Sequence, residues 1–97
     1  MLFTLNNSSL TSGSLDSLLR IAPSGTPILL YEDGVFSAVE GARDAQKVKD
    51  AMKDHPFYVL DADVEARGLK KLVEGIKQIG YDGFVVLVEE NDVVPWL

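Results

Sequence analysis

Short apolar runs alternate along this chain with segments in which apolar residues recur every three or four positions. The clearest run, residues 28–31, has no polar alternation and is typical of a strand covered on both faces, as in a parallel sheet. Residues 57–60 predict a further strand of the same kind, and residues 2–5 predict a weaker one at the start of the chain. The runs therefore favour a parallel sheet with cover on both of its faces.

Between and after these runs, the apolar residues follow the spacing of a helix that is buried along one side. The pattern i, i+3, i+4, i+7 is met by Leu15, Leu18, Leu19 and Ala22; by Val35, Ala38, Val39 and Ala42; and by Leu69, Leu72, Val73 and Ile76. Ala45, Val48 and Met52 predict another short helix. Strands alternating with helices indicate βαβ units, so the pattern predicts an α/β fold with a mainly parallel sheet. The 97 residues are enough for one domain, residues 1–97.

The break after the 28–31 run is the first candidate site. Glu32, Asp33 and Gly34 follow it directly, and ligands and partners bind at the carboxyl ends of strands in open α/β sheets. One interpretation is a small acid–base or partner-docking site. The simpler one is that Asp33 caps the next helix, Gly34 permits the turn and Glu32 lies at the rim of the sheet.

Two residues further along the chain are candidates for holding a surface together. Arg67, beside Gly68, is predicted to pair with one of the acids and to connect the exit loops of the second and third strands. Trp96 either covers the edge of the sheet or inserts into a partner, since an aromatic residue in a terminal segment is normally held by something.

The charge balance changes the list of possible partners. Fifteen acidic and nine basic residues give a net charge of −6, and the basic residues are scattered, with one adjacent pair at Lys70-Lys71. Because nucleic-acid backbones bind clustered positive charge, we expect no direct nucleic-acid binding. No apolar run is long enough to span a bilayer, and the first residues lack a secretory signal pattern, so a cytoplasmic protein is expected.

The residues that carry most enzyme chemistry are missing or isolated. The chain contains no cysteine, which excludes disulfides, zinc–thiolate sites and thiol nucleophiles. His55 is the single histidine and is predicted to be exposed in a turn, and the acids Glu89, Glu90 and Asp92 are interpreted as solvated. Nucleotide-binding and hydrolase motifs are absent. We therefore expect no metal, no cofactor and no catalytic residue.

Three segments resemble the DsrH/TusB family of sulfur-relay proteins. The first is Tyr31-Glu32-Asp33-Gly34-Val35, which is similar to the family's strand ending in (F/L/Y)-(E/Q)-D-G-(V/I). The second is residues 63–69, similar to a D-(L/V)-x-A-R-G turn, and the third is residues 81–96, similar to D-Y-x-x-F-V…W. The order and spacing hold across nearly the whole chain. Leu18 stands near the position of a cysteine found in DsrH proteins, which brings the chain closer to the cysteine-free TusB type.

The resemblance implies a three-layer α/β/α domain with a mainly parallel sheet of four to five strands. It also implies a hexamer with TusC/DsrF-like and TusD/DsrE-like subunits, served by TusA-like and TusE/DsrC-like carriers. This chain would be the subunit that carries no sulfur itself, supporting 2-thiolation of the wobble uridine of transfer RNA or, in a DsrEFH-type complex, sulfur oxidation. A free-standing, homo-oligomeric domain with a small-molecule pocket beside Asp33 remains the alternative.

The last third of the chain is where propensity and resemblance disagree. Residues 84–88 are continuous and rich in valine, which favours a strand. The resemblance instead places a strand at about residues 76–79 and a helix from Asp82 onward, with Asp82 as its cap and Phe84, Leu87 and Val88 on one side. We favour the helix, because tertiary context commonly overrides propensity.

Overall fold

The computed structural model describes residues 1–8 and 13–96. The strands are Leu2–Leu5 (β1), Ile28–Leu30 (β2), Phe57–Leu60 (β3), Lys77–Ile79 (β4) and Val93–Trp96 (β5). The helices are Ser14–Ile21 (α1), Ala45–Ala51 (α2), Asp61–Ala66 (α3) and Tyr81–Glu90 (α4), and a 3₁₀ helix spans Glu32–Ala38. The predicted alternation of strands and helices is confirmed.

The five strands form one parallel sheet in the order β4-β3-β2-β1-β5. Successive steps from β1 to β4 run in one direction, so right-handed crossovers place α1, α2 and α3 on one face of the sheet. The step from β4 to β5 runs back across the sheet, which places α4 on the opposite face. The result is the expected α/β/α arrangement of three layers.

The core lies between the sheet and the first helix layer. Phe3 pairs with Ile28, and Ile28 pairs with Phe57, so their side chains share one face and are buried there. Leu15 and Leu18 of α1 pack onto this face, and both are fully or almost fully buried. Leu18 is therefore a core residue, as the sequence predicts.

The opposite face of the sheet is also covered in its centre. Leu2, Thr4 and Leu29 point to this face and are buried. The covering helix α4, however, has no buried residue of its own, and Phe84 and Leu87 are only half-buried. This second layer is thin.

Two predicted helices differ from the structure. The segment 69–76 is not a helix: Leu72 forms an antiparallel bridge with Val39, and the Val73 N–H donates to the carbonyl oxygen of Ala38 at 2.7 Å. The same bridge ends the helix after β2 at Ala38, so the predicted stripe that includes Val39 and Ala42 is cut short. A segment that folds back over the core can also bury an apolar residue at every third or fourth position, so this spacing alone does not establish a helix.

The contested segment 84–88 is helical, as the resemblance predicts. Its cap is Gly80, and Asp82 lies inside the first turn, so the prediction that Asp82 caps the helix is wrong. The predicted exposure of His55 is also wrong. The ring is buried, and its Nδ1 lies 2.8 Å from the carbonyl oxygen of Thr26, where the approaches to β2 and β3 run side by side.

Both edges of the sheet are poor templates for a further strand. The Leu2 N–H donates to the carbonyl oxygen of Asp92 at 2.7 Å. Because alternate residues of a parallel strand direct their backbone groups to opposite sides, the backbone N–H and C=O positions of residues 93 and 95 face outward. Pro95 has no N–H to offer there. At the other edge, β4 has three residues, and its Lys77 is exposed.

Candidate functional site

The turn after β2 is set by a close approach between backbones. A Cβ on Gly34 would lie 2.2 Å from the carbonyl oxygen of Leu5 at the end of β1, so no side chain fits at this position. The Gly34 N–H donates to the carbonyl oxygen of Tyr31 at 2.9 Å, and the Tyr31 N–H donates to that of Leu5 at 3.1 Å. Glycine is thus required here by the packing of the turn onto β1.

Glu32 begins this turn in the left-handed region, with φ of 48°. It is the single described residue other than glycine with a positive φ. Its N–H donates to Oδ2 of Asp63 at 2.7 Å, while its side chain is exposed. Glu32 has no ion-pair partner among the described residues. The structure therefore holds the backbone of Glu32 firmly and leaves its carboxylate in solvent.

Arg67 connects the exits of β2 and β3. Its Nε and Nη2 donate to Oδ1 of Asp33 at 3.0 and 2.9 Å, and its Nη1 donates to the carbonyl oxygen of Asp63 at 3.3 Å. The guanidinium carbon also lies 6.0 Å from the centre of the Phe36 ring. The predicted pairing of Arg67 with one of the acids is confirmed.

The capping role predicted for Asp33 is wrong. The 3₁₀ helix starts one residue earlier, at Glu32, its cap is Tyr31, and no side chain caps it. The carboxylate of Asp33 instead points sideways to Arg67. Together Glu32, Asp33, Asp63 and Arg67 form an acidic rim at the carboxyl ends of β2 and β3, which we call the β2–β3 rim.

A cleft opens next to this rim, with a volume of about 190 Å³. Its wall is mostly apolar, and it contains Asp44, whose side chain is only 2% exposed. The Oγ of Ser37 lies 3.5 Å from Oδ2 of Asp44, and Nζ of Lys47 lies 3.8 Å from Oδ1. The lining residues are Ser8, Phe36, Ser37, Val39, Ala42, Arg43, Asp44 and Leu69.

Asp44 is the residue of this region that sequence reasoning missed. Its position directly before the helix α2 was the available signal, because acids are common there. Lys47, its charged neighbour, lies closer to Asp16 of α1, at 2.8 Å. The hydrogen bond between them raises the pKa of Lys47 and lowers the pKa of Asp16. Asp44 is therefore held mainly by Ser37 and a shared lysine.

Trp96 lies at the opposite side of the sheet from Arg67 in strand order, on β5. Its Nε1 donates to Oγ of Ser17 in α1 at 2.8 Å, and its ring centre lies 5.8 Å from that of Phe3. The side chain is half-buried against the core. The structure brings Glu32, Asp33, Gly34 and Arg67 together and leaves Trp96 apart from them.

The chemistry that this region offers is recognition by charge and shape. The described residues include no group of three or more histidine, aspartate or glutamate side chains placed to hold a metal ion. None of their helices is long and apolar enough to cross a membrane. The rim presents carboxylates and one guanidinium, which suit ionic contacts with another macromolecule.

Comparison with known proteins assigns the chain to a family. A sequence profile described as DsrH like protein matches residues 7–94. The chain belongs to the DsrH-like family. Protein TusB of Serratia proteamaculans is 37% identical to it over 92 residues, covering 94% of each chain. Protein TusB of Salmonella enteritidis is 35% identical over 98 residues, covering 99% of this chain and all of the relative.

Solved structures share the fold at lower identity. The ychN protein of E. coli superposes with a TM-score of 0.81 at 17% identity, covering 97% of this chain and 96% of the other. A protein of unknown function from Methanobacterium thermoautotrophicum gives 0.76 at 14% identity, with the same coverage. The family resemblance found in the sequence, and the three-layer fold it implies, are confirmed.

Proposed function

We propose that this chain is the non-carrying subunit of a sulfur-relay complex of the TusBCD type, acting in the cytoplasm and supporting 2-thiolation of the tRNA wobble uridine. The observation that carries the proposal is full-length membership of the DsrH-like family in a chain without cysteine. To carry sulfur in a relay, a protein needs a cysteine thiol on which the persulfide can form. This chain supplies none, so its contribution is structural and it is not itself an enzyme.

The partners follow from the same proposal. The chain assembles with TusC-like and TusD-like subunits into a hexamer, and TusA-like and TusE-like carriers reach the complex through the TusD-like cysteine. The β2–β3 rim is the proposed surface facing a partner, with Glu32, Asp33 and Arg67 as its charged contacts and Gly34 shaping the turn. Trp96, which is half-buried at the other side of the sheet, is the proposed aromatic contact.

The test is assembly followed by a cellular assay. The chain is co-expressed with the TusC-like and TusD-like proteins of the same organism, and the mass of the purified complex is measured by light scattering. Deletion of the gene should then abolish 2-thiouridine in the affected transfer RNAs, and the wild-type gene should restore it. A deletion strain with normal 2-thiouridine but impaired sulfur oxidation would favour the DsrEFH-type complex instead.

The cleft beside Asp44 favours a second candidate, a free-standing domain that binds a small molecule. Its volume of about 190 Å³ is below the range of about 300–1,000 Å³ that is usual for ligand pockets, so the cleft would suit a small ligand only. The same experiment separates the two functions. The small-molecule domain would be favoured if the stable chain bound neither sister subunit and if deletion of its gene left 2-thiouridine unchanged.

A further inference from the structure

The outer face of α4 is apolar and uncovered. Tyr81 is 64% exposed, Val85 and Val86 are each 49% exposed, and Val88 is 37% exposed. The other side of the helix, with Phe84 and Leu87, is turned to the sheet and half-buried. Single exposed apolar residues are normal on a protein surface, whereas a contiguous group of them on one helix indicates an interaction site.

Two carboxylates lie within this apolar face. Asp82 and Glu89 are seven positions apart, so they stand two turns apart on the same side of α4, about 10 Å from each other, with Val85 between them. Both are exposed. Neither has an ion-pair partner in residues 1–8 and 13–96, and the sequence has no basic residue from Gly80 to Trp96.

We propose that the outer face of α4 (Tyr81, Asp82, Val85, Val86, Val88 and Glu89) docks a sister subunit whose own surface is apolar and carries two basic side chains about 10 Å apart. The proposal rests on the proposed function, which supplies the sister subunits. Apolar contact around Val85 excludes water from the interface. Each carboxylate then pairs with a basic side chain of the sister subunit, and this charge pairing makes binding specific for that subunit.

Charge also excludes a second copy of this chain as the occupant. Two copies of α4 that pack in opposite directions bring Asp82 of one against Glu89 of the other. Two copies that pack in the same direction bring each carboxylate against its own counterpart. Either arrangement buries like charges side by side, which is unfavourable. The face is thus suited to a different, basic chain.

The test reverses the two charges. The variant Asp82→Lys/Glu89→Lys should weaken binding to the co-expressed sister subunits about tenfold or more. The control Glu65→Lys/Glu74→Lys changes the net charge by the same amount at two other exposed acids that form no ion pair with the described residues. It should change binding by less than about threefold. Circular dichroism verifies that each variant is folded.

A neutral variant keeps the test decisive if the reversed one does not fold. Asp82→Asn/Glu89→Gln should bind more weakly than wild type and should lose most of the dependence of binding on salt concentration. Sister subunits that bind wild type and the α4 variants equally would overturn this inference and leave the proposed function standing. Sister subunits that do not bind wild type would end both.

The isolated chain provides the remaining outcome. Its mass by analytical ultracentrifugation should be that of a monomer. A dimer that the substitutions at Asp82 and Glu89 disrupt would show that a second copy occupies α4, contrary to the proposal.

Discussion

Glu32 occupies a backbone conformation that costs free energy for any residue with a side chain. The left-handed region is unfavourable by about 1–2 kcal/mol for such residues. The conformation persists because the Glu32 N–H is bound by Asp63 and because Gly34 is packed against Leu5. Strain held in place by its surroundings is common at recognition sites, and here it fixes the backbone from which an exposed carboxylate extends.

Replacement by glycine should expose this strain. Glu32→Gly should leave the free energy of unfolding unchanged or raise it by up to about 1 kcal/mol, because glycine adopts positive φ freely. The control Glu65→Gly, in the exposed part of α3, should lower it by about 1 kcal/mol. Urea titrations measure both. Equal losses in the two variants would contradict a strained Glu32.

The contact between Asp33 and Arg67 should behave as a coupled pair. A double-mutant cycle with Asp33→Ala and Arg67→Ala should give a coupling of about 0.5–1 kcal/mol, since Asp33 is 61% exposed and solvent screens the pair. Asp33→Asn should reduce the coupling, whereas a helix cap would tolerate asparagine. Zero coupling, measured by the same urea titrations, would show that the ion pair contributes nothing to stability.

The sequence could predict this pair because it depends on topology. Parallel strands bring their carboxyl ends to one edge, so a base after β3 reaches an acid after β2. Which acid it takes, and whether the acid also caps a helix, depends on side-chain directions within one turn. The predicted cap at Asp33 is wrong because its side chain turns to Arg67 instead. The predicted exposure of His55 is wrong because its hydrogen-bond partner, Thr26, is 29 residues away in the sequence.

At the scale of elements, β5 is joined to α1 through Trp96. Its indole donates to Ser17 and its ring packs near Phe3, so one side chain connects the last strand, the first strand and the first helix. A strand at the edge of a sheet has neighbours on one side only, and its stability depends on such contacts.

Removing the indole should therefore destabilise the isolated chain. Trp96→Ala should lower the free energy of unfolding by about 2 kcal/mol, a reduced value for a half-buried aromatic. Trp96→Phe should lower it by about 1 kcal/mol through loss of the hydrogen bond. Val93→Ala, on the exposed side of β5, is the matched control and should change it by under about 0.5 kcal/mol. Circular dichroism follows unfolding, because Trp96 is the single tryptophan. A loss of co-purification with sister subunits at unchanged stability would show that Trp96 serves the interface alone and does not stabilise the isolated chain.

The elements most readily predicted were the strands buried on both faces and the helix α1. The segment 69–76 is not predicted correctly. Its four apolar residues have the spacing of a helix, but they contact the core from a chain that crosses it without forming one. Gly68 and Gly75 bracket it with φ of 65° and 98°, which breaks a helix. The chain needs a connection from one edge of the sheet to the other, which α4 supplies, and this requirement outweighs the strand preference of its three valines.

At the scale of the whole molecule, the absence of cysteine predicts a negative result that a carrier would not give. After incubation with a persulfidated carrier, intact mass spectrometry should show no added sulfur on this chain. The TusD-like subunit in the same mixture serves as the positive control and should gain sulfur. A stable gain of sulfur on this chain would contradict the non-carrying role.

The two sheet edges, which are poor templates for a further strand, affect how an unassembled copy of the subunit can aggregate. Such a copy exposes the apolar side of α4, where Asp82 and Glu89 disfavour packing against a second copy. Amyloid fibrils, however, grow by adding strands in register to an open edge. Pro95 and the short, lysine-bearing β4 deny that route. We expect surplus subunits to remain separate, because the carboxylates of α4 disfavour self-association and the edges of the sheet disfavour fibrils.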